Sequence, residues 1–384
     1  MSVAATREQS KNSEPGVPAA RSERLASIDA LRGFDMFWII GGDALFLSFV
    51  AIFVNPVPDW LARQFDHVAW KGFVGWDLIM PLFLFVSGAS LPFSLSKWTG
   101  TGRDKKDKKA LYIRLARRIL LLWVLGMMVQ GNLLEFDLSK LHVYSNTLQS
   151  IASGYLVATI LMLTVSVRGQ MLATGALLVA YWLLMAFVPI PGHGAGVLEP
   201  AANLAMYVDE AVLGRFRDGT TYTWVLSSLG FAASVLLGAL GGHVLRSDRT
   251  PNNKALTLLA AGVGCLAAGW IWGIWFPIIK HIWTSSMVLW AGGLSYLLLA
   301  GFYWVIDVKK YRKWAFPFIV IGMNAIAVYV ATHLIDFRHI SEDLVGGLAA
   351  KLGQAGPFVI AFTGFLIVWL ILLYLYRKGT FIRV

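Results

Sequence analysis

The feature that most constrains this chain is a succession of ten apolar stretches, each about 20 residues long. A stretch of that length can cross a bilayer as a helix, which satisfies its own backbone hydrogen bonds. Hydrophobic residues make up 57% of the 384 residues and charged residues only 14%, too few to cover a soluble protein of this size. The stretches lie at residues 33–54, 73–95, 115–134, 148–167, 171–189, 222–245, 255–276, 284–306, 315–334 and 356–376. The sequence therefore predicts an all-α integral membrane protein of about ten transmembrane helices.

The net charge of +11 is concentrated in the short segments between these stretches. If the N-terminus is cytoplasmic, most of the 33 Lys and Arg residues fall on the cytoplasmic side, and residues 103–109 form a basic cluster there. Membrane proteins concentrate positive charge on that side. We therefore predict that both termini are cytoplasmic. No nucleic-acid partner is expected, because the basic charge follows the topology.

The rest of the chain is predicted to be simple in organisation. Residues 1–24 are polar and lack the apolar core of a secretory signal, so we interpret them as a disordered cytoplasmic tail. Residues 25–384 are predicted to form a single polytopic transmembrane domain. Cys265 is the only cysteine, which excludes an internal disulfide, and the histidines have no metal-binding spacing, so no metal is expected. The pairs Gly241-Gly242 and Gly292-Gly293 are compatible with a homodimer.

Ionisable side chains are costly inside a bilayer and therefore mark candidate functional positions. Asp29, Arg32, Asp35 and Asp43 lie in or beside the first stretch. In a continuous helix Asp29, Arg32 and Asp43 share one face, which predicts a polar stripe. Asp29 and Arg32 could instead form a salt bridge at the headgroup level. Asp43 follows two glycines deep in the span and is a candidate proton acceptor.

A second constellation runs from the loop before the second stretch into that stretch. His67 lies at its outward mouth, where an imidazole can serve as nucleophile or general base, or can simply face solvent. Asp77 could orient that imidazole or be an embedded acid held by backbone donors. Among the other histidines, only His333 is retained as a candidate.

Several residues near the predicted membrane surfaces have two interpretations. Trp70 and Trp283 could stack on a ligand or belong to an interfacial aromatic belt. Lys280 could shape an acceptor site or anchor the connection between the seventh and eighth stretches. Asn203 and Asn324 are expected to hydrogen-bond across helices.

These residues together resemble a known family. The pattern consists of Arg24-Leu25, Ser27, Asp29, Arg32-Gly33, His67, Trp70, Gly72, Asp77-Leu78, Pro81, Phe83, Phe85, Gly88, Leu148-Gln149, Asn203, Tyr207, Asp209, Pro277, Lys280, Trp283-Thr284, Asp307-Val308, Gly322-Met323-Asn324 and Val328-Tyr329-Val330. In this order and spacing it resembles the heparan-α-glucosaminide N-acetyltransferase family of transmembrane acetyltransferases, over nearly the whole chain after residue 24.

The resemblance implies transfer of acetyl from cytosolic acetyl-CoA to the amine of a glucosamine-like hexosamine on the far side of the membrane. It implies that His67 is catalytic, and that Asp43, also assigned to catalysis, replaces the family's asparagine. We assign contacts with acetyl-CoA to Asp29, Arg32, Gln149 and Asn324, and contacts with the acceptor sugar to Trp70, Asp77, Lys280, Trp283 and Asn203. The pantetheine arm would follow the Asp29, Arg32 and Asp43 stripe toward His67.

This chain also departs from the family pattern. Ser150 and Glu210 stand where the family has arginine, so two positive charges that could hold phosphates or an acidic sugar are absent. The large extramembrane N-terminal portion of the animal enzymes is also absent. We therefore expect a bacterial relative in the inner membrane, with the acceptor in the periplasm and lipid as its surroundings.

Two alternatives stay open at this point. An amino-sugar transporter would use the charged stripe as a substrate path, but the sequence shows neither a paired repeat nor clear Gly or Pro breaks in two halves. A related acyltransferase acting on another cell-envelope sugar would have the same architecture. Nor does the sequence decide whether His67 carries the acetyl as an acyl-imidazole or deprotonates the acceptor for direct attack.

Overall fold

Long apolar helices dominate the computed structural model, which describes residues 25–96, 98 and 105–382. Within those residues the α-helices are α1 (Ala26–Phe37), α2 (Asp43–Phe53), α3 (Asp59–Ala62), α4 (Ile79–Ala89), α5 (Leu91–Ser94), α6 (Lys105–Gln130), α7 (Thr147–Thr164), α8 (Val167–Phe187), α9 (Leu204–Leu213), α10 (Ser228–Arg246), α11 (Pro251–Trp272), α12 (Ser285–Phe302), α13 (Phe316–Gly322), α14 (Ala325–Leu334), α15 (Phe337–Ala349) and α16 (Gly356–Arg377). A short antiparallel hairpin, β1 (Leu198–Glu199) and β2 (Ala202–Asn203), precedes α9. The predicted tail at residues 1–24 lies outside the described residues.

The prediction of an all-α multi-pass membrane protein is confirmed. Eight helical segments of the described chain are long and apolar enough to cross a membrane, and the count is nine if α13 and α14, which are bent by 76°, cross it as one span. The predicted span at 115–134 corresponds to α6, a helix of 26 residues that carries Arg114, Arg117 and Arg118 near its middle. These arginines keep α6 below the apolarity of the other spans. The orientation of the termini stays a prediction.

The first predicted span is broken rather than continuous, which corrects the expected polar stripe. A π-helical turn, Trp38–Gly42, separates α1 from α2, and its Ile40 and Gly41 leave helical geometry. Gly41 has φ +111°, a conformation that glycine adopts without the steric penalty of a side chain. Because the helix changes its winding here, the face that holds Asp29 and Arg32 does not continue to Asp43. Together with the bend before α14, this break also corrects the inference that mid-span breaks are absent.

Glycines bring the central helices into backbone contact. A methyl group on Gly33 of α1 would overlap the carbonyl oxygen of Phe318 in α13, and one on Gly322 would overlap that of Asp29. Gly88 of α4 and Gly238 of α10 form a second crossing of this kind. Small residues allow such approach in membrane proteins, where close packing replaces the hydrophobic effect between helices.

The glycine pairs that suggested a homodimer pack against other residues of the same chain. Gly242 meets Ala89 and Pro92, and Gly293 meets Gly262 and Leu266. A homodimer therefore stays a prediction without support from these pairs.

Helix α10 is the most enclosed span, with α4, α7, α8 and α12 packed around it. The outer helices expose apolar side chains, including Val263 of α11 and Leu370 of α16. A soluble protein would bury such surfaces, whereas a lipid-facing helix exposes them. The functional side chains are held on loops and helix ends around the α4 and α10 core.

Candidate functional site

A buried carboxylate orients the candidate catalytic histidine. Asp77 lies in a 3₁₀ turn, Gly75–Leu78, at the start of α4, and the Val74 N–H donates to its Oδ2 at 3.2 Å. The Nδ1 atom of His67 lies 3.0 Å from Oδ1 of Asp77. The Asp77 side chain is 2% exposed and that of His67 is 44% exposed. The carboxylate therefore favours a proton on Nδ1, which leaves Nε2 as the accepting nitrogen.

Lys280 completes this cluster from the connection between α11 and α12. Its Nζ lies 3.3 Å from Oδ1 of Asp77 and 3.3 Å from Nδ1 of His67. Two hydrogen bonds brace the connection, one from the Gly72 N–H to the Ile278 carbonyl and one from the Ile279 N–H to the Thr284 hydroxyl. Burial lowers the pKa of the Lys280 ammonium, and the Asp77 carboxylate opposes that shift. Each partner therefore stabilises the charged form of the other.

The cluster forms part of the wall of a cavity of about 450 Å³, called here the histidine cavity. His67 and Lys280 line it together with the aromatic residues Trp76, Tyr222 and Trp224. Its other polar lining residues are Gln130, Ser145, Asn146, Thr147, Asp218, Thr220 and His333. A concave site with aromatic walls and a few convergent polar groups is typical of small-molecule binding.

Sequence reasoning did not identify Asp218, Tyr222 or Trp224 as site residues. They lie in the connection between α9 and α10, where their spacing shows no motif. The ring of Tyr222 stacks on that of His281 at a centroid distance of 4.1 Å and meets the ring of His67 edge-on at 6.4 Å. This stacking holds the α9–α10 connection against His67.

A second cavity, of about 250 Å³, contains the predicted Asp29 and Arg32 and is called the arginine cavity. Arg32 Nη1 donates to Asp29 at 3.1 Å, and Nη2 donates to the Ser90 hydroxyl at 2.7 Å. Arg118 of α6 also lines this cavity and lies over the ring of Tyr155 at 4.1 Å. Its buried Nε–H has no hydrogen-bond partner among the described residues. The local arrangement can hold an anion, because guanidinium groups pair with phosphate oxygens.

Phe83 of α4 lines both cavities and forms part of the wall between them. Arg32 of α1 lines the arginine cavity, and Ile39 of the π-helical turn that follows α1 lines the histidine cavity. Asp35 lies between these two positions with 1% exposure, and neither carboxylate oxygen has a partner among the described residues. Sequence reasoning noted Asp35 only as a neighbour of the stripe.

The other predicted cofactor residues are bonded to the backbone. Gln149 accepts the Ser145 N–H at 2.8 Å and donates to the Val143 carbonyl at 2.6 Å. Asn324 accepts the Ile382 N–H at 2.8 Å and donates weakly to Thr380 near the C-terminus. Asp43 lines neither cavity. Ligand contacts by Gln149 and Asn324 and the catalytic role of Asp43 stay predictions.

The remaining predicted acceptor residues also have structural partners. Trp283 is 2% exposed and donates its indole N–H to Ser234 at 3.1 Å, and Trp70 donates to the Leu198 carbonyl at 2.8 Å. Asn203 caps α9 by accepting the Met206 N–H. None of the three lines the histidine cavity. Within the described part of the chain, no group of three His, Cys, Asp or Glu side chains could hold a metal ion.

Comparison with known proteins gives an independent indication of kinship. No protein-family profile matches the chain. Heparan-alpha-glucosaminide N-acetyltransferase from Mus musculus is 24% identical over 383 residues, covering 84% of this chain and 55% of the mouse protein. The Homo sapiens protein of the same name is 25% identical over 380 residues, covering 83% and 54%. The chain thus spans about half the length of these curated relatives. By sequence, the chain is similar at the family level to the heparan-alpha-glucosaminide N-acetyltransferases.

Proposed function

We propose that this protein is a transmembrane acetyltransferase that moves acetyl from acetyl-CoA to the amine of a glucosamine-like hexosamine. The observation that carries the proposal is the His67, Asp77 and Lys280 cluster at one cavity, with an arginine-lined cavity behind the shared wall at Phe83. The relatives named as N-acetyltransferases support the reaction class. Acetyl-CoA would be used from the cytoplasm and the sugar from the periplasm of a bacterial inner membrane.

His67 would handle the proton of the acceptor amine. An ammonium group must lose a proton before it attacks the thioester, and Nε2 of His67 can accept that proton while Asp77 stabilises the resulting imidazolium. When the C–N bond forms and the C–S bond breaks, the second amine proton neutralises the leaving thiolate. An acyl-imidazole route, in which Nε2 first takes the acetyl group, uses the same geometry.

Lys280 would contribute through Asp77 and through its place at the cavity wall. Its ammonium neutralises the buried carboxylate and keeps Asp77 from drawing the His67 proton fully onto itself. Since Nζ lies beside Nδ1 rather than Nε2 of the imidazole, we assign Lys280 a positioning role.

The arginine cavity would receive the phosphate-bearing end of acetyl-CoA. Arg32 and Arg118 supply guanidinium groups, and Arg118 Nε and the Ser87 hydroxyl are buried polar groups without a partner in the described residues. A bound anion would satisfy such groups. The acetylated arm would then pass Phe83 to reach the histidine cavity, so the whole cofactor need not cross the membrane.

The breaks at Gly41 and between α13 and α14 favour one competing function, an amino-sugar transporter. Transporters commonly bind substrate where membrane helices are interrupted. Neither break explains why an exposed His67 is held by the buried Asp77 and Lys280, an arrangement that a transporter does not need for chemistry.

One experiment tests the enzyme against the transporter. Purified protein in sealed vesicles would receive acetyl-CoA on one side and glucosamine on the other, and free thiol and N-acetylglucosamine would be measured over time. An acetyltransferase releases one thiol for each acetylated sugar. Sugar that enters the vesicles without thiol release would establish transport and refute the proposed function.

A further inference from the structure

We infer that the histidine cavity selects an amino sugar that carries no acidic group, rather than a sulfated or carboxylated saccharide. The inference rests on the proposed function and specifies its acceptor class. It follows from the described lining residues, which include the carboxylate of Asp218 and no arginine, and whose one lysine, Lys280, is paired with Asp77.

The basic side chains of the cavity are one lysine and two histidines, of which the lysine and one nitrogen of each imidazole already have partners. The Lys280 side chain is 6% exposed and paired with Asp77, which also holds His67. His333 places Nδ1 2.8 Å from the Tyr329 carbonyl. Sulfate and carboxylate groups are normally recognised by arginine, whose fork matches their paired oxygens. No arginine lines this cavity in the part of the chain that the structure describes.

The nearest arginine in sequence is bonded elsewhere. Arg217 donates from Nη1 to the Thr220 carbonyl at 2.8 Å, and its Nη2 lies 3.8 Å from Glu210. It does not line the histidine cavity. An acidic sugar would therefore lose hydration on entry without gaining a charged partner, which is unfavourable.

Asp218 gives the cavity wall a negative charge. Its Oδ1 accepts the Thr220 N–H at 3.1 Å and the Thr220 hydroxyl at 3.0 Å, and its Oδ2 accepts the Trp224 indole N–H at 3.2 Å. An ionised carboxylate has about four acceptor positions, so Oδ2 keeps capacity for a ligand donor. It can accept from a sugar hydroxyl or attract the ammonium group, and it repels an acidic substituent. Tyr222 and Trp224 provide apolar faces beside it.

The test compares glucosamine with glucosamine 6-sulfate as acceptors for the purified protein with saturating acetyl-CoA. We expect kcat/KM for glucosamine to exceed that for the sulfate by about tenfold or more, because the sulfate is desolvated without gaining a charged partner and is repelled by Asp218. Equal or better use of the sulfate would overturn the inference and leave the acetyltransferase proposal standing. If neither sugar is acetylated and no thiol is released, the proposed function itself fails, and the inference fails with it.

Asp218→Asn tests the origin of the selectivity, and the chain offers a matched control. Asp137 accepts the Ser139 N–H at 2.9 Å and the Ser139 hydroxyl at 2.7 Å, the same local motif as Asp218 with Thr220, but it does not line the cavity. Asp218→Asn should raise KM for glucosamine and reduce the difference in kcat/KM between glucosamine and glucosamine 6-sulfate. Asp137→Asn should change neither KM for glucosamine nor the ratio of kcat/KM between the two sugars.

A gain of function gives a second test that does not depend on losing a contact. Thr220→Arg would place a guanidinium at the cavity wall, and its backbone N–H can still donate to Asp218. We expect the ratio of sulfate to glucosamine turnover to rise several-fold. If neither Asp218→Asn nor Thr220→Arg changes this ratio while both proteins remain folded, the charge of the lining does not set acceptor choice and the inference is refuted.

Discussion

The Nδ1 atom of His67 and the Oδ1 atom of Asp77 lie 3.0 Å apart, although only the histidine is substantially exposed. Lys280 contacts the same carboxylate oxygen at 3.3 Å. The carboxylate is thus shared between an imidazole that can exchange protons and an ammonium that is almost completely buried. Each of the three residues therefore has a distinct place in the cluster, and its contribution can be tested by substitution.

Removal of the imidazole should abolish transfer. We expect His67→Ala to lower kcat by about 10²–10⁴-fold, the usual contribution of a general acid–base group. His193→Ala is the control, because His193 is an exposed histidine that does not line the cavity. Thiol release with glucosamine measures both variants. Wild-type turnover in folded His67→Ala would remove this residue from the mechanism.

The buried ion pair should show strong coupling in a double-mutant cycle. Lys280→Met leaves the Asp77 charge buried without its ammonium, a change that costs about 3–5 kcal/mol in comparable pairs. Asp77→Asn with Lys280→Met removes both charges and should recover most of the thermal stability, but not the activity, because His67 has lost its carboxylate. Thermal unfolding in detergent and kcat would be measured for both single variants and the double variant. Additive losses of stability would contradict the pairing.

Because Phe83 lies in the wall between the two cavities, truncation of its side chain should uncouple thiol release from sugar acetylation. Phe83→Ala should connect the two cavities, so water can reach the thioester and thiol is released without acetylated sugar. Phe85→Ala is the matched control on the same helix, since Phe85 is fully buried against Tyr296 and lines neither cavity. Both changes should destabilise the fold by about 3–5 kcal/mol. The ratio of thiol to product should rise only in Phe83→Ala, and an unchanged ratio would show that Phe83 does not separate the sites.

Asp43→Asn restores the residue of the related family and should retain activity close to that of the wild type. Asp43 lies beyond the helix break at Gly41 and lines neither of the two cavities. Steady-state kinetics with acetyl-CoA and glucosamine would measure the effect. A large fall in kcat, with stability unchanged, would instead support the catalytic assignment made from the family resemblance.

The glycine crossing of α1 and α13 should be intolerant of a side chain. Gly33→Ala would force the Phe318 carbonyl away and should lower the thermal unfolding temperature markedly. Gly264→Ala on α11 is the control, because nothing lies within 4 Å of its added methyl group. That change should be neutral or slightly stabilising, since alanine favours helix by about 1 kcal/mol over glycine. Equal effects would contradict the packing described for Gly33.

Part of the architecture could be predicted from the sequence because it depends on local composition. Apolar length determines which segments can span a bilayer, and all of the predicted stretches fall on helices of the structure. The short separation of His67 and Asp77 in the chain also brings them together through one turn at the start of α4. The break at Gly41 was missed because a span that is apolar on both sides gives no hydropathy signal where its winding changes.

Other features depended on contacts between residues far apart in the chain. Lys280 reaches His67 across 213 residues, and Asp218 and Tyr222 join the cavity only because the α9–α10 connection packs over His67 and His281. The sequence by itself determined the class of fold through hydropathy, and its resemblance to a known family singled out His67, with Asp77 close by in the chain. Tertiary structure alone decided which polar groups share a cavity and which are bonded to the backbone, because cavity walls arise from the packing of non-adjacent helices.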